Sequence, residues 1–183
     1  IAPVLALFAA CQVLEYAWPG LILTGIEHGS NQPCHLEGSA LVLSHMPWSH
    51  SLLGASGISA AVAGMVTLFS RERSWLIFAA LFAAGVSHWF MDLIVHAPDL
   101  TLAGGPPYLG FGLWAYKWPS LALEAALAIG GLWLAVRATR YTGAWGAWTP
   151  WLMLVAFGVF GAVNALMPPP ESMQQVAASA LAA

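Results

Sequence analysis

Trp75-Leu-Ile-Phe-Ala-Ala-Leu-Phe-Ala-Ala-Gly-Val-Ser-His88-Trp-Phe-Met-Asp92-Leu-Ile-Val-His96-Ala-Pro98-Asp99 is the stretch on which the fold turns. Its apolar part approaches the roughly 20 residues a helix needs to cross a bilayer, and Pro98 stops it. Its last third nevertheless carries His88, Asp92 and His96, four residues apart. On a helix that spacing stacks them on one face, each a turn above the last. Ionisable groups in a membrane segment are costly and usually face a protein interior or a wet cavity. His and Asp in such a stack are ligands for a divalent cation, zinc foremost.

Four more runs of this kind surround it. The chain has 183 residues, 60% hydrophobic and 7% charged, where soluble domains carry about 25% charged residues. The reading is all-α: a polytopic integral membrane bundle forming a single domain over 1–183. Five transmembrane helices are predicted, at 3–25, 49–70, 75–96, 119–136 and 148–167, followed by an Ala-rich tail at 168–183. Pro19-Gly20 is expected to kink or break the first. The second is rich in Gly, Ala and Ser, which let helices approach closely, and is placed inside the bundle. Trp18, Trp48, Trp75, Trp118 and Trp148 lie near run ends, as interfacial anchors do. The loop 99–118 is rich in turn residues and is expected to dip back into the protein. A net charge of −3 without a basic cluster excludes nucleic-acid binding. Cys11 and Cys34 fall in unlike surroundings and are not expected to pair. The chain opens at Ile1 inside an apolar run, so a segment upstream is expected.

Charge sets the orientation. Arg71, Arg73, Arg137 and Arg140 fall in two loops that share one side if all five runs span, and only Lys117 lies opposite. Positive charge favours the cytoplasm. The His residues and most acidic residues then collect at the non-cytoplasmic end. Asp92 is about 6 Å, and His88 about 12 Å, deeper than His96.

A second cluster, His45-Met-Pro-Trp-Ser-His50, opens the second run. Pro47 suits the first turn of a helix and Ser49 its N-cap. His50 then projects from the helix start and His45 from the loop above. The metal candidates are His45, His50, His88, Asp92, His96 and Glu15, more than the three protein ligands of a usual catalytic zinc site. One or two ions are expected. A buried His–Asp pair that only locks helices is the bland alternative. Asp99 and Glu124 are the candidate catalytic groups, as general base or as the residue orienting a ligand. His28 and His35 read as solvated loop residues. His-Glu-x-x-His, Gly-x-Ser-x-Gly and phosphate-loop patterns do not occur.

Met46-Pro-Trp-Ser-His50-Ser-Leu52, then Ser87-His-Trp-Phe-Met-Asp92 with His96-Ala-Pro-Asp-Leu100, resembles the bacterial membrane-bound metal-dependent hydrolases. Gly110-Phe-Gly-Leu-Trp114 and Leu132-Trp-Leu-Ala-Val-Arg-Ala-Thr139 fit the same pattern. The resemblance covers most of the chain. It implies ligands at His50-Ser51 and at His88 and Asp92, in an arrangement like zinc-dependent phospholipases. Glu15 stands where that pattern has Asp, and its opening Gly-His element does not occur here.

The expected function is therefore a hydrolase of the bacterial cytoplasmic membrane that uses a divalent metal, zinc by preference. It acts on an ester or phosphoester at the non-cytoplasmic face. Membrane lipid is the surrounding partner and a lipid-like molecule the expected substrate; an oligomer or partner subunit cannot be read from the sequence. The rival readings are a non-enzymatic membrane subunit, such as a haem or metal carrier with His50 and His88 as axial ligands, and a transporter passing protons or metal ions along the same His/Asp cluster.

Overall fold

A computed structural model describes residues 4–32, 35–138, 143–166 and 172–182. Cys34, Arg140, Pro168, Pro169 and Pro170 lie outside the described residues. The chain runs α1 (Val4–Cys11), α2 (Val13–Leu23), β1 (His28–Asn31), β2 (Leu41–His45), α3 (Leu52–Phe69) and α4 (Trp75–Val95). It continues with β3 (Leu100–Thr101), β4 (Tyr108–Leu109), a 3-10 turn (Leu113–Ala115), α5 (Lys117–Ala138), α6 (Gly143–Leu166) and α7 (Met173–Ala182).

Among the described residues, three helices are long and apolar enough to cross a membrane: α3, α4 and α5. Five such runs were expected. The first divides into α1 and α2, and the apolar stretch counted within α6, Trp148–Val163, is shorter than the three. The division falls at Gln12, not at Pro19-Gly20. Gln12 leaves helical geometry at φ −96° and ψ 3°. Its N–H still donates to the Phe8 carbonyl and its carbonyl still accepts from Tyr16, so the chain bends without losing its backbone bonds. Pro19 sits buried inside α2.

The centre of the molecule is the antiparallel pair α3 and α4. Gly85 makes their close approach necessary: a Cβ there would lie 2.5 Å from Ser59 Oγ and 3.3 Å from the Ala10 carbonyl. Three helices therefore meet at one glycine, as small-residue packing in membranes requires. Ala10, Ala63, Ile77 and Leu81 form the core at this end. At the other end Leu14, Trp18 and Ile22 of α2 pack with Leu43, Met46, Trp89 and Leu100. Met173 and Ala177 join that cluster, so the tail folds back as α7 on a face of α2 that would otherwise stay bare. Helix α5 is mostly exposed, with only Ser120 buried among its described residues.

Two short antiparallel hairpins, β1–β2 and β3–β4, lie at the end where α3 begins and α4 finishes. Both were read as loops, because strands of two to five residues give no usable alternation. The 99–118 segment does dip in: Leu100 and Thr101 are buried. It also ties the two central helices together. Thr101 N donates to the His50 carbonyl (3.3 Å) and Leu53 N to the Leu102 carbonyl (2.9 Å) at the start of α3. Phe111 N donates to the Leu93 carbonyl (2.8 Å) and Gly112 N to the His96 carbonyl (2.7 Å) at the end of α4. These last two carbonyls are among those a helix C-terminus leaves without partners. Gly110, at φ +154°, permits the approach, since a Cβ there would overlap the Ala97 carbonyl.

Candidate metal centre

His50 is placed by a folded turn. Ser51, not Ser49, caps α3: its Oγ accepts from Gly54 N (2.9 Å) and donates to the Pro47 carbonyl (2.5 Å). The helix begins two residues later than the Ser49 cap implied, which holds His50 just ahead of it as a fixed, buried corner. The Trp89 indole donates to the His50 carbonyl at 3.3 Å, so α4 pins the corner from below.

His50, Asp92 and His96 each offer a ligand atom, and all three atoms lie within 4.8 Å of one another. Bonds of about 2.0–2.2 Å place atoms on opposite sides of an ion roughly 4.4 Å apart and tetrahedral neighbours about 3.4 Å apart. The separation of the three atoms is thus close to what one ion requires. Asp92 and His96 are i and i+4 on the last turn of α4 and its cap. The His50 and His96 rings meet edge to face at 5.5 Å.

The hydrogen bonds suit such a set. Asp92 Oδ2 is buried and makes no hydrogen bond among the described residues; the ionisable neighbour beside it is His88 Nε2, at 3.5 Å. His96 Nδ1 lies 3.2 Å from Asp99 Oδ1, which leaves Nε2 as its free nitrogen. His50 Nδ1 lies 2.7 Å from Ser49 Oγ, so its Nε2 is free as well. Ligating histidines commonly hold their second nitrogen this way. Burial first, then the neighbouring His96, pushes the His50 imidazole down to about 3. It stays neutral near pH 7, the form that binds metal.

The remaining expected residues fall into distinct places. His88 stands one turn below Asp92, with Nε2 3.5 Å from Asp92 Oδ2 and 3.1 Å from Glu15 Oε1. It thus links Asp92 to Glu15, whose Oε2 accepts from the Trp18 indole at 2.8 Å. The resemblance implies His88 beside Asp92 as a ligand; among the described residues the group within ligand reach is His50, Asp92 and His96, while α2 presents Glu15 to His88. His45 is exposed on β2 opposite His28, their ring centroids 6.3 Å apart, because the strand carries it away from the turn that holds His50. Asp99 is outside the grouped three and meets His96 instead, Oδ1 lying 3.2 Å from Nδ1. Glu124 shares with Asp92 a cleft of about 170 Å³ between α4 and α5, otherwise lined by apolar side chains such as Met91, Val95 and Leu127. His28 and His35 are exposed.

Two groups escaped the sequence reading. Trp114 lies against the His96 ring at 4.5 Å between centroids. Glu27 is buried, 1% exposed, and reaches the Ser49 hydroxyl. Nothing marked Glu27 apart from other loop carboxylates, since its partners lie 21 and 22 residues ahead. No protein-family description, curated protein or solved structure matches the chain.

Proposed function

We propose that this protein is a membrane-embedded metal-dependent hydrolase, acting on an ester or phosphoester, with a lipid-like molecule as the favoured substrate. The observation that carries the reading is the convergence of two imidazole nitrogens and a buried carboxylate at the mouth of the central helix pair. The resemblance to membrane-bound metal-dependent hydrolases supports the reaction class. His50, Asp92 and His96 would hold the ion. A divalent metal there supplies Lewis acidity and brings the pKa of bound water toward 7. Asp99 keeps the His96 ring in place. Glu124, across the cleft from Asp92, is the group positioned to take a proton. The apolar cleft walls favour a substrate with an acyl portion. Zinc is the preferred ion.

Purified protein is expected to contain at least one divalent ion per chain and to show no Soret band. Chelation should abolish hydrolysis of phospholipid-like esters, and zinc or manganese should restore it. A protein that takes up no divalent metal at micromolar concentration, and hydrolyses none of these esters, would leave the non-enzymatic subunit standing. A second reading draws on the Glu15–His88–Asp92 chain. Titratable groups in file are what a proton- or metal-ion transporter needs, and proteoliposome flux without hydrolysis would favour it.

The proposed membrane is the bacterial cytoplasmic membrane, with all five apolar runs spanning it and the site on the non-cytoplasmic side. The arginines at 71 and 73, at the opposite end of α3 and α4 from the site, support this orientation. In a background free of Cys11 and Cys34, cysteine at Gly38 or Gly105 should react with an impermeant thiol reagent added outside the cell. Cysteine at Ser74 should not. The reverse pattern would move the site to the cytoplasmic face.

A further inference from the structure

Behind His50 runs a chain of hydrogen bonds with a definite direction. Glu27 Oε1 accepts from the backbone N–H of Trp48 (2.8 Å) and of Ser49 (2.9 Å). Its Oε2 lies 2.5 Å from Ser49 Oγ. Ser49 Oγ in turn lies 2.7 Å from His50 Nδ1. Glu27, Ser49 and His50 are all buried, so water does not compete for these bonds.

Proton counting fixes the roles. A carboxylate has only lone pairs to offer, whereas a hydroxyl has one proton and can also accept. Ser49 must give its single proton to Glu27. Toward His50 it can then only accept, so the proton of the neutral imidazole sits on Nδ1. Nε2, the nitrogen Ser49 does not engage, is left with its lone pair for the cluster that His50 forms with Asp92 and His96. We propose that Glu27 and Ser49 are positioning residues that lock His50 in the Nδ1–H tautomer and thereby present Nε2 as a ligand.

The consequence for metal affinity rests on the metal reading above; the tautomer itself does not. A carboxylate that holds the outer nitrogen of a ligating histidine is a general device. Here it acts through a serine hydroxyl, and the carboxylate comes from the segment between α2 and β1, far from the ligands in sequence.

Glu27→Gln is the informative variant because it keeps the shape. The amide oxygen can stay on the two backbone N–H groups, and its NH2 then donates to Ser49 Oγ. The hydroxyl proton, released from the carboxylate, is expected to turn toward His50 Nδ1, which moves the imidazole proton to Nε2. The experiment is 15N NMR of histidine-labelled, metal-free protein in nanodiscs near pH 8, with the His50 signals identified by their loss in His50→Gln. Wild type should show a protonated Nδ1 and a bare Nε2. Glu27→Gln should invert that pattern. Zinc alone, titrated into the same samples, should bind Glu27→Gln at least tenfold more weakly. Ser49→Ala should also lose the wild-type pattern and Ser49→Thr, which keeps the hydroxyl, should recover it.

A wild-type His50 carrying its proton on Nε2 would overturn the proposal. So would a Glu27→Gln protein whose tautomer is unchanged while zinc still binds. Inversion of the tautomer in a protein that binds no zinc at all would uphold the relay and remove the metal reading instead.

Discussion

Asp92→Asn is expected to lose more metal affinity than any other single change at the site. The substitution keeps size and removes the charge that would balance a divalent ion held between the two imidazoles. Removing an outer partner of a metal ligand typically costs about 10- to 100-fold; removing the only carboxylate of the three should exceed that range. His88→Gln, one step behind Asp92, should fall inside it. Zinc titration into metal-free protein, with a thermal melt on the same samples, checks both. If Asp92 only pairs with His88 at 3.5 Å, zinc binding will hold. The melt alone will then suffer, by about 3–5 kcal/mol for a broken buried pair.

The second large effect lies well away from the ligands. Gly85→Leu should destabilise the protein by at least the roughly 1–3 kcal/mol of ordinary overpacking. Its first side-chain atom already meets Ser59 Oγ at 2.5 Å and the Ala10 carbonyl at 3.3 Å, and a carbonyl on a packed helix cannot step aside. In a bilayer, packing does much of the work that hydrophobic burial does in water, so little offsets the lost contact. The substitution should also weaken zinc binding. Prising α3 from α4 separates His50, ahead of one helix, from Asp92 and His96 at the end of the other. Gly57→Ala on α3 is the control. It meets nothing within 4 Å, and alanine is the better helix former by about 1 kcal/mol. A Gly85→Leu protein that melts and binds zinc like wild type would show that this crossing is loose.

The helices were legible because apolar length is a strong signal. The α4 boundary at Val95, one residue before the expected end, follows directly from Pro98. The convergence of His50 with the α4 stack was legible from matching depth alone. Which member of the stack would face His50 was not, since i and i+4 positions share a face and only neighbours choose between them. Glu15 on α2 claims His88, and the Phe111 and Gly112 contacts steer the end of α4. Neither pairing leaves a trace in local sequence. The Glu27 to Ser49 bond is hidden for the same reason. Serine before a helix reads as a cap, and only the observed bond from the Gly54 N–H to Ser51 Oγ shows that this role is taken by another residue.

Two of the three grouped side chains, Asp92 and His96, sit on the last turn of α4 and its cap, where helices ordinarily fray. The loop carrying Phe111 and Gly112 closes that turn from across, and the same loop, through Thr101 and Leu102, grips the start of α3 beside His50. Opening of this end is therefore one cooperative event, not three separate ones. An amide-exchange experiment should register Leu93, His96, Phe111 and Gly112 as a single unit of protection. An ion that binds only the closed form would slow all of them together, in proportion to its occupancy.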